Sequence, residues 1–318
     1  MNKFLAFSSA LIVALLFVLF NKSKLETHSV FYISGENLYE IIQQDGSFGV
    51  APAFFLLKNI PALKETIDTG EYEIQKGESA ISVIAKMLSH KKVIRKLTIP
   101  EGYTVKRILE VVNNNKLLFG NITEQYNEAS LAPNTYFYSF GDSKNSILQK
   151  MKKQMEVIKA KYEQMNDTSL NLTEILILAS MIEKESGNKN ELALISSVFH
   201  NRLAIKMRLQ SDPTVIYALT DGYGKMERKL TRKDLWFQSP YNTYRNAGLP
   251  PSPICCPGEN AIYAAIYPLI TRFFYFVAKN DHSGHIFSED YKSHLQTIRN
   301  LKMKKITGRK EPNCTGHK

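Results

Sequence analysis

Two glutamates, Glu183 and Glu185, lie two residues apart at the end of a largely apolar stretch. A carboxyl at the end of a buried helix is a candidate general acid, because desolvation raises its pKa and keeps it protonated near neutral pH. Each residue turns a helix by about 100°, so the two side chains point about 200° apart and cannot share one cleft. These residues alone leave open which glutamate faces the interior, and such a charged triplet is also typical of a solvated helix end.

The helix that carries these glutamates has recognisable signals at both ends. Asn171 and Glu174 have the spacing of a capping box at its start, and Gly187 is a natural residue for its end. Apolar residues occupy all its sides, which predicts a helix that is largely buried. A second helix follows, then Pro-rich loops between residues 240 and 257, and a predicted buried strand at residues 273–278.

Upstream, three segments between residues 32 and 110 share one spacing of an apolar residue, a glycine, a polar residue and an apolar pair. The polar residues are Asn37, Ser79 and Thr104. Each segment predicts a strand end, a glycine turn and a short helix whose first free amide is capped by the polar side chain. Such turns are also ordinary in any α+β domain. Residues 144–165, rich in Lys and Gln, predict a solvated linker helix.

The chain opens with an uncharged apolar run from Phe4 to Phe20, flanked by lysines on both sides. The run is at the short end of what spans a bilayer, and neither a small-residue cleavage site nor a lipid-accepting cysteine follows it. We therefore expect an uncleaved single-pass anchor, with a cleaved signal peptide as the alternative. Because positive residues lie on both sides, the very short N-terminal tail decides the expected orientation, with the remainder of the chain exported.

The 318-residue chain carries a formal net charge of +11, which suggests an acidic partner such as nucleic acid, an anionic membrane face or an anionic polymer. Its Lys and Arg residues are scattered and no nucleic-acid motif is present, so we expect no nucleic-acid partner. Cys255, Cys256 and Cys314 provide neither a disulfide framework nor the ligand spacing of a metal site. The sequence therefore predicts no metal centre.

Four long motifs occur in order from the glutamates onward: LASMIEKESG, SSVFHNRLAIKMRLQSDPTVIYAL, YNTYRNAGLPPSPI and YFVAKNDHSGHIFSEDYKSH. Together they resemble the YceG-like family of endolytic murein transglycosylases. LTIPEGYTVKRI and APNTYFY also match, and the resemblance runs from about Val30 to about Leu301. Separately, YEIQKGESAISVIAKML resembles a LysM module, a small glycan-binding βααβ fold.

The resemblance implies an α+β fold with an N-terminal transmembrane helix, a small LysM-like βααβ module and a mixed α+β catalytic domain. The expected boundaries are 1–24 for the cytoplasmic tip and anchor, 28–95 for the LysM-like module, 96–170 for a connecting region with the linker helix, 171–301 for the catalytic domain and 302–318 for a polar tail.

The family's catalytic glutamate is the second of the triplet, which here is Glu185, and Glu183 is then a supporting group. Matching motifs imply substrate-binding roles for Gln210, Asp212, Thr214, Tyr241, Asn242 and Thr243. Amide, hydroxyl and aromatic groups suit a sugar, which offers hydroxyls to bond and CH faces to stack. For each of these residues a structural loop hydrogen bond is the alternative, and Asp212 is also a candidate cap for the helix that follows it.

Three positions depart from the family pattern. Asn134 replaces an Asp, Ser252 replaces a Gly after the double proline, and Cys255 with Cys256 replaces a Ser-Asn-like pair. These departures concern loop contacts and leave the helix of Glu185 intact.

As an activity, the resemblance implies a lyase that cleaves nascent peptidoglycan strands between N-acetylmuramic acid and N-acetylglucosamine and so terminates their elongation. One carboxylate suffices, because the C6 hydroxyl of the substrate attacks the anomeric carbon and leaves a 1,6-anhydro end without a metal or organic cofactor. Implied partners are glycan strands, the plasma membrane and penicillin-binding protein synthases, with the catalytic domain on the outer face of the inner membrane. The alternatives are a non-catalytic membrane-anchored glycan-binding scaffold and a hydrolytic muramidase.

Overall fold

The computed structural model describes residues 28–32, 68, 70–75, 78–165, 168–185, 187–281 and 283–307. The predicted anchor and the first of the three repeated turn segments lie outside these residues. Among the helices that are described, none is both long and apolar enough to cross a membrane.

The described elements mix helices and strands, as predicted. The strands are β1 (His28–Tyr32), β2 (Gly70–Ile74), β3 (Arg95–Thr98), β4 (Thr135–Tyr138), β5 (Tyr275–Ala278) and β6 (His285–Ser288). The helices are α1 (Ala80–Leu88), α2 (Val105–Asn113), α3 (Lys144–Met165), α4 (Leu172–Glu185), α5 (Leu192–Ala204), α6 (Asp212–Leu219), α7 (Glu259–Ile266) and α8 (Tyr291–Thr307). By their contacts the described residues divide into a first unit, drawn from ranges up to 97, 112–122 and 136–147, and a second unit, drawn from 98–111, 123–135 and 148 onward.

In the first unit, β2 pairs antiparallel with β1, and β3 pairs with β4. Ser79 caps α1 as predicted, because its hydroxyl accepts the Ser82 amide at 3.3 Å. The Glu71 side chain is fully buried and receives two hydrogen bonds from Arg95, at 2.6 and 2.7 Å. Because α1 is the only helix described between residues 28 and 95, the described residues do not show the predicted βααβ module.

The second unit is built around α4. Its capping box is confirmed, since Glu174 accepts the Asn171 amide at 2.9 Å and Asn171 accepts the Glu174 amide at 3.0 Å. Residues 175–182 of α4 are all buried, as their all-round apolar pattern predicts. The helix packs against α5 and α7, with Phe199 and Ile262 in the shared core. Glu185 therefore sits on a rigid support.

Helix α3 forms over the predicted residues, but the interpretation as a solvated linker is wrong. Met155, Ile158 and Tyr162 are buried in the same core as α4. The Tyr162 hydroxyl donates to Glu259 at 3.1 Å, at the start of α7. Lysines and glutamines dominate the composition of α3, yet they cover only its outer face, so a residue count hides the apolar stripe that packs inward.

The predicted strand at 273–278 is confirmed as β5, which pairs antiparallel with β6 from Tyr275 opposite Ser288 to Ala278 opposite His285. Its first three residues are half-buried and Ala278 is exposed, because α8 and α5 cover only part of this two-stranded sheet. The repeated turn at α2 is also confirmed. Gly102 has a φ of +75°, and the Thr104 hydroxyl accepts the Arg107 amide at 3.4 Å.

Candidate active site

Glu185 is the last residue of α4, and one of its carboxyl oxygens accepts a 2.5 Å hydrogen bond from the Ser211 hydroxyl. Ser211 is buried and directly precedes α6. Burial raises the pKa of Glu185 to about 7, with the Asp212 charge acting in the same direction and Ser211 and Arg202 opposing it. A carboxyl with this pKa exists in both protonation states at neutral pH, which suits a group that first gives and then takes a proton.

Glu183 faces a different part of the protein. Its Oε2 accepts the backbone amide of Gly258 at 2.9 Å, immediately before α7, and the Lys184 ammonium donates to the Gly102 carbonyl at 3.3 Å. Burial raises the pKa of Glu183 as well. The two glutamates thus contact separate elements, as helical geometry requires, and the oxygen of Glu183 holds the start of α7.

Asp212 is the first residue of α6, and its exposed side chain accepts a 2.6 Å hydrogen bond from the Tyr244 hydroxyl. The N-cap of this helix is Ser211, and no side-chain cap bond forms there. The alternative that Asp212 caps α6 is therefore wrong. Burial and the Asp212 carboxylate raise the pKa of Tyr244, so its phenol keeps the proton that it donates.

Three of the predicted substrate-binding residues, Thr214, Asn242 and Thr243, are buried. The Thr214 and Thr243 hydroxyls lie 2.9 Å apart, and the Asn242 amide donates to the Leu235 and Phe237 carbonyls at 3.0 and 2.8 Å. Thr214 and Thr243 therefore fasten the loop at residues 239–245 to α6, and Asn242 fastens it to the segment at residues 235–237.

Gln210 is exposed and adopts a left-handed backbone with a φ of +50°, which a non-glycine residue rarely occupies. Its backbone amide donates to the Thr243 carbonyl at 3.2 Å, and the Ser211 backbone amide donates to the Thr243 hydroxyl at 2.9 Å. These bonds hold the strained turn that directs the Gln210 side chain outward, two residues ahead of Asp212.

A cavity of about 650 Å³ lies beside Tyr241, the remaining predicted residue, with Tyr217 and Glu128 also in its wall. The Tyr217 and Tyr241 rings are 5.0 Å apart, and the Tyr241 hydroxyl lies 2.6 Å from that of Ser252. Glu185 does not line this cavity. Helix α6 contributes to both places, because it begins next to Ser211, which contacts Glu185, and it carries Tyr217 in the cavity wall.

The sequence did not point to Glu128. Both of its oxygens accept the Val105 amide at the start of α2, at 3.0 and 3.1 Å, and burial raises its pKa to about 7. A single glutamate without a spacing pattern carries no signal in a sequence, because its partners come from segments distant along the chain.

The sequence also did not point to Arg202, a residue of α5 with only 6% of its surface exposed. Its guanidinium donates to the Leu209 and Phe274 carbonyls, both at 2.7 Å, and its charge favours the ionised form of Glu185. The burial of an arginine so close to Gln210 and Ser211 indicates that it supports the loop that contacts Glu185. Arg202 follows the apolar residues Leu194 and Val198 at helical spacing, which was the available clue.

Cys255 and Cys256 are free and buried, and burial raises the pKa of Cys256 to about 12. Their backbone ties this loop to the turn before α2, since Cys256 bonds the Tyr103 carbonyl at 2.8 Å and the Gly102 amide at 3.0 Å. Within the described part of the chain, no group of three or more His, Cys, Asp or Glu side chains is placed to hold a metal ion.

We expect Glu128→Gln to change how stability depends on pH. Between about pH 4.5 and 7 the unfolded chain releases this proton while the folded protein retains it, so the wild-type free energy of unfolding falls as pH rises. At 1.36 kcal/mol per pKa unit, discounted for partial solvent access, Glu128 accounts for about 2 kcal/mol of that fall. The variant should match wild type near pH 5 and exceed it near pH 8 in urea unfolding. Glu227→Gln, at an exposed site in the same unit, is the control, and an equal fall in the variant and wild type would contradict the assignment.

A family model described as the YceG-like family matches residues 33–300. An endolytic murein transglycosylase of Bacillus subtilis is 39% identical over 169 residues, which are 52% of this chain and 46% of the relative. One from Streptococcus pneumoniae is 25% identical over 289 residues, which are 76% of this chain and 51% of the relative. The chain thus spans about half the length of these curated relatives.

The crystal structure of a yceG-like protein from Listeria monocytogenes superposes with a TM-score of 0.56 at 30% sequence identity, covering 85% of this chain and 98% of that one. Motifs, fold and sequence comparisons agree, and the chain belongs to the YceG-like family.

Proposed function

We propose that the chain is an endolytic peptidoglycan lytic transglycosylase with Glu185 as its catalytic acid and base. The names of the curated relatives support this activity. The observation that carries the assignment to Glu185 is its carboxyl at the end of the buried helix α4, hydrogen-bonded to Ser211 and with a pKa raised to about 7.

In this mechanism the protonated Glu185 donates its proton to the glycosidic oxygen as the bond from that oxygen to C1 of the muramyl residue breaks. The resulting carboxylate takes the proton of the C6 hydroxyl of the same sugar while that oxygen bonds to C1. The product is a 1,6-anhydro ring and a strand with a free 4-hydroxyl, and Glu185 is again protonated. One carboxyl therefore serves both steps, where hydrolases use two.

The groups around Glu185 have separate roles. Ser211 orients the carboxyl, and the negative charge of Asp212 both raises the pKa of Glu185 and stabilises the positive charge that develops at C1. Gln210 and Tyr241 contact the glycan through an exposed amide and an aromatic face. Thr214, Asn242 and Thr243 act indirectly, by holding the loop at 239–245 in place.

The remaining expectations are part of the same proposal. Residues 1–24 anchor the chain in the plasma membrane with the catalytic region on its outer face, residues 28–95 add a LysM-like glycan contact, and penicillin-binding protein synthases are the partners. A non-catalytic scaffold is disfavoured because the curated relatives are named as transglycosylases. A muramidase uses a second carboxylate, for which Asp212 is the candidate because its charge acts on Glu185, and the product of the reaction distinguishes the two activities.

The product of the reaction tests the proposal. Full-length protein incubated with uncross-linked glycan strands is expected to release internal fragments that end in 1,6-anhydro-N-acetylmuramic acid, detected by mass spectrometry. Reducing ends would mean that water is the acceptor and that the chain is a muramidase. Retention on strands with no cleavage at any enzyme concentration would favour the scaffold.

A further inference from the structure

A second cavity, of about 480 Å³, lies in the same unit as Glu185 and takes no part in the mechanism above. Its wall includes three arginines and two aromatic residues, Arg208, Arg232, Arg245, Trp236 and Tyr244. The three arginines are exposed, and in the part of the chain that the structure describes none of them has an acidic ion-pair partner.

Another arginine of the same loop region shows the contrast. Arg228 makes two hydrogen bonds to the Asp234 carboxylate, at 2.6 and 2.9 Å, and is neutralised there. The three arginines that line the cavity have no such counter-charge. An anion bound among them would supply it.

The cavity is connected to the candidate active site through one ring. Tyr244 lines the cavity, and its hydroxyl donates to Asp212 at 2.6 Å. The residue before Asp212 is Ser211, whose hydroxyl donates to Glu185 at 2.5 Å. A strand held at Glu185 would therefore place its neighbouring substituents near the arginines.

Trp236 supplies an apolar surface at the same cavity, with 72% of its area exposed. Arg245 donates to the Trp236 carbonyl at 3.2 Å, which fixes the backbone that presents the indole. A large exposed indole beside unpaired guanidinium groups suits a ligand with both an apolar part and a negative charge.

We propose that the cavity of Arg208, Arg232 and Arg245 binds a carboxylate of the peptide that the glycan strand carries, with Trp236 against the peptide's apolar part. This inference rests on the proposed function. Guanidinium forks match carboxylates with two parallel hydrogen bonds. A diphosphate offers similar chemistry, but it occurs only at the end of a lipid-linked strand, whereas peptide carboxylates flank every internal cleavage point.

The test measures binding without turnover, in full-length protein that carries Glu185→Gln. Trp236 is the only tryptophan of the chain, so its fluorescence reports directly on the cavity. The probes are peptide-bearing strands, the same strands stripped of peptide by an amidase, and inorganic diphosphate. We expect only the peptide-bearing strands to change the fluorescence at low concentration, and their binding to weaken as salt rises.

Arg208→Ala and Arg232→Ala are each expected to raise the dissociation constant for peptide-bearing strands about tenfold or more, the loss of one charged hydrogen bond. Arg232→Lys keeps the charge but not the fork and should recover only part of the affinity. Arg299→Ala, at an exposed position of α8, is the matched control and should bind like the parent protein.

Equal binding of stripped strands, or arginine variants that bind as well as the control, would overturn the proposal. Diphosphate that binds as tightly as peptide-bearing strands would assign the cavity to phosphate and likewise overturn it. The outcome is separate from that of the product assay. If wild type makes anhydro products but strand binding does not depend on the arginines, the role of the cavity is overturned and the proposed activity stands. If binding depends on the arginines but no anhydro products form, the proposed activity is overturned and the role of the cavity stands.

Discussion

Replacing Glu185 with Gln is expected to reduce the rate of strand cleavage to background. Glutamine keeps the shape of the side chain and can accept the Ser211 hydrogen bond, but it neither donates a proton to the leaving oxygen nor takes one from the C6 hydroxyl. A general acid–base group is typically worth about 10²–10⁴-fold, and one that serves both steps should reach or exceed the upper value. The measurement is kcat/KM for the release of anhydro-ended fragments.

Glu183→Gln is the matched control, because it lies on the same helix and differs from Glu185 mainly in the element that it contacts. Glutamine retains one acceptor for the Gly258 amide, so we expect less than about a tenfold loss of rate together with some loss of stability. Both variants need circular dichroism spectra that match wild type. An inactive Glu183→Gln beside an active Glu185→Gln would show that the catalytic role belongs to Glu183.

The pH dependence of wild type gives an independent measure of the same group. Since Glu185 begins the reaction protonated, kcat/KM should decline as pH rises through about 7, the pKa to which burial raises this carboxyl. A profile that is flat from about pH 5 to 9 would contradict a role as general acid.

Replacing Arg202 with Met is expected to lower the free energy of unfolding by about 3 kcal/mol. The Leu209 and Phe274 carbonyls would each lose a charged donor that now lies at 2.7 Å, and such bonds contribute about 1.5–3 kcal/mol apiece, partly offset by the removal of a buried charge. Urea unfolding at constant pH measures the loss.

The same variant should raise the pKa of Glu185, because the Arg202 charge favours the carboxylate. The decline of kcat/KM at high pH should therefore move to higher pH, an effect that simple loosening of the fold would not produce. Arg202→Lys, which keeps the charge, should retain more of the wild-type profile than Met does. Arg299→Met at an exposed site is the stability control, and an Arg202→Met variant as stable as that control would contradict this role.

Local signals in the sequence predicted the elements that depend on neighbours along the chain. The capping box of Asn171 and Glu174, the caps at Ser79 and Thr104 and the buried helix α4 all appear as expected. These features rest on contacts three or four residues apart, so composition and spacing are sufficient to find them. The motifs likewise identified the family.

The surroundings of Glu185 depended on the tertiary structure. Ser211, Arg202 and Asp212 reach this carboxyl from α5, α6 and the loop between them, and desolvation by the assembled core raises its pKa. Helical angles alone placed Glu183 and Glu185 on opposite flanks, but only the packing of α7 against α4 assigned Gly258 to Glu183.

The family, the helix that carries the glutamates and the short-range caps were therefore predictable from the sequence, because each depends on contiguous segments. The folded chain was needed to show that α3 packs into the core, that Thr214, Asn242 and Thr243 are buried, and that Glu128 is desolvated. Burial and charge are sums over groups from distant segments. No single stretch of sequence contains that sum. For the same reason, the shared cavity of Arg208, Arg232 and Arg245 could not be predicted from the sequence.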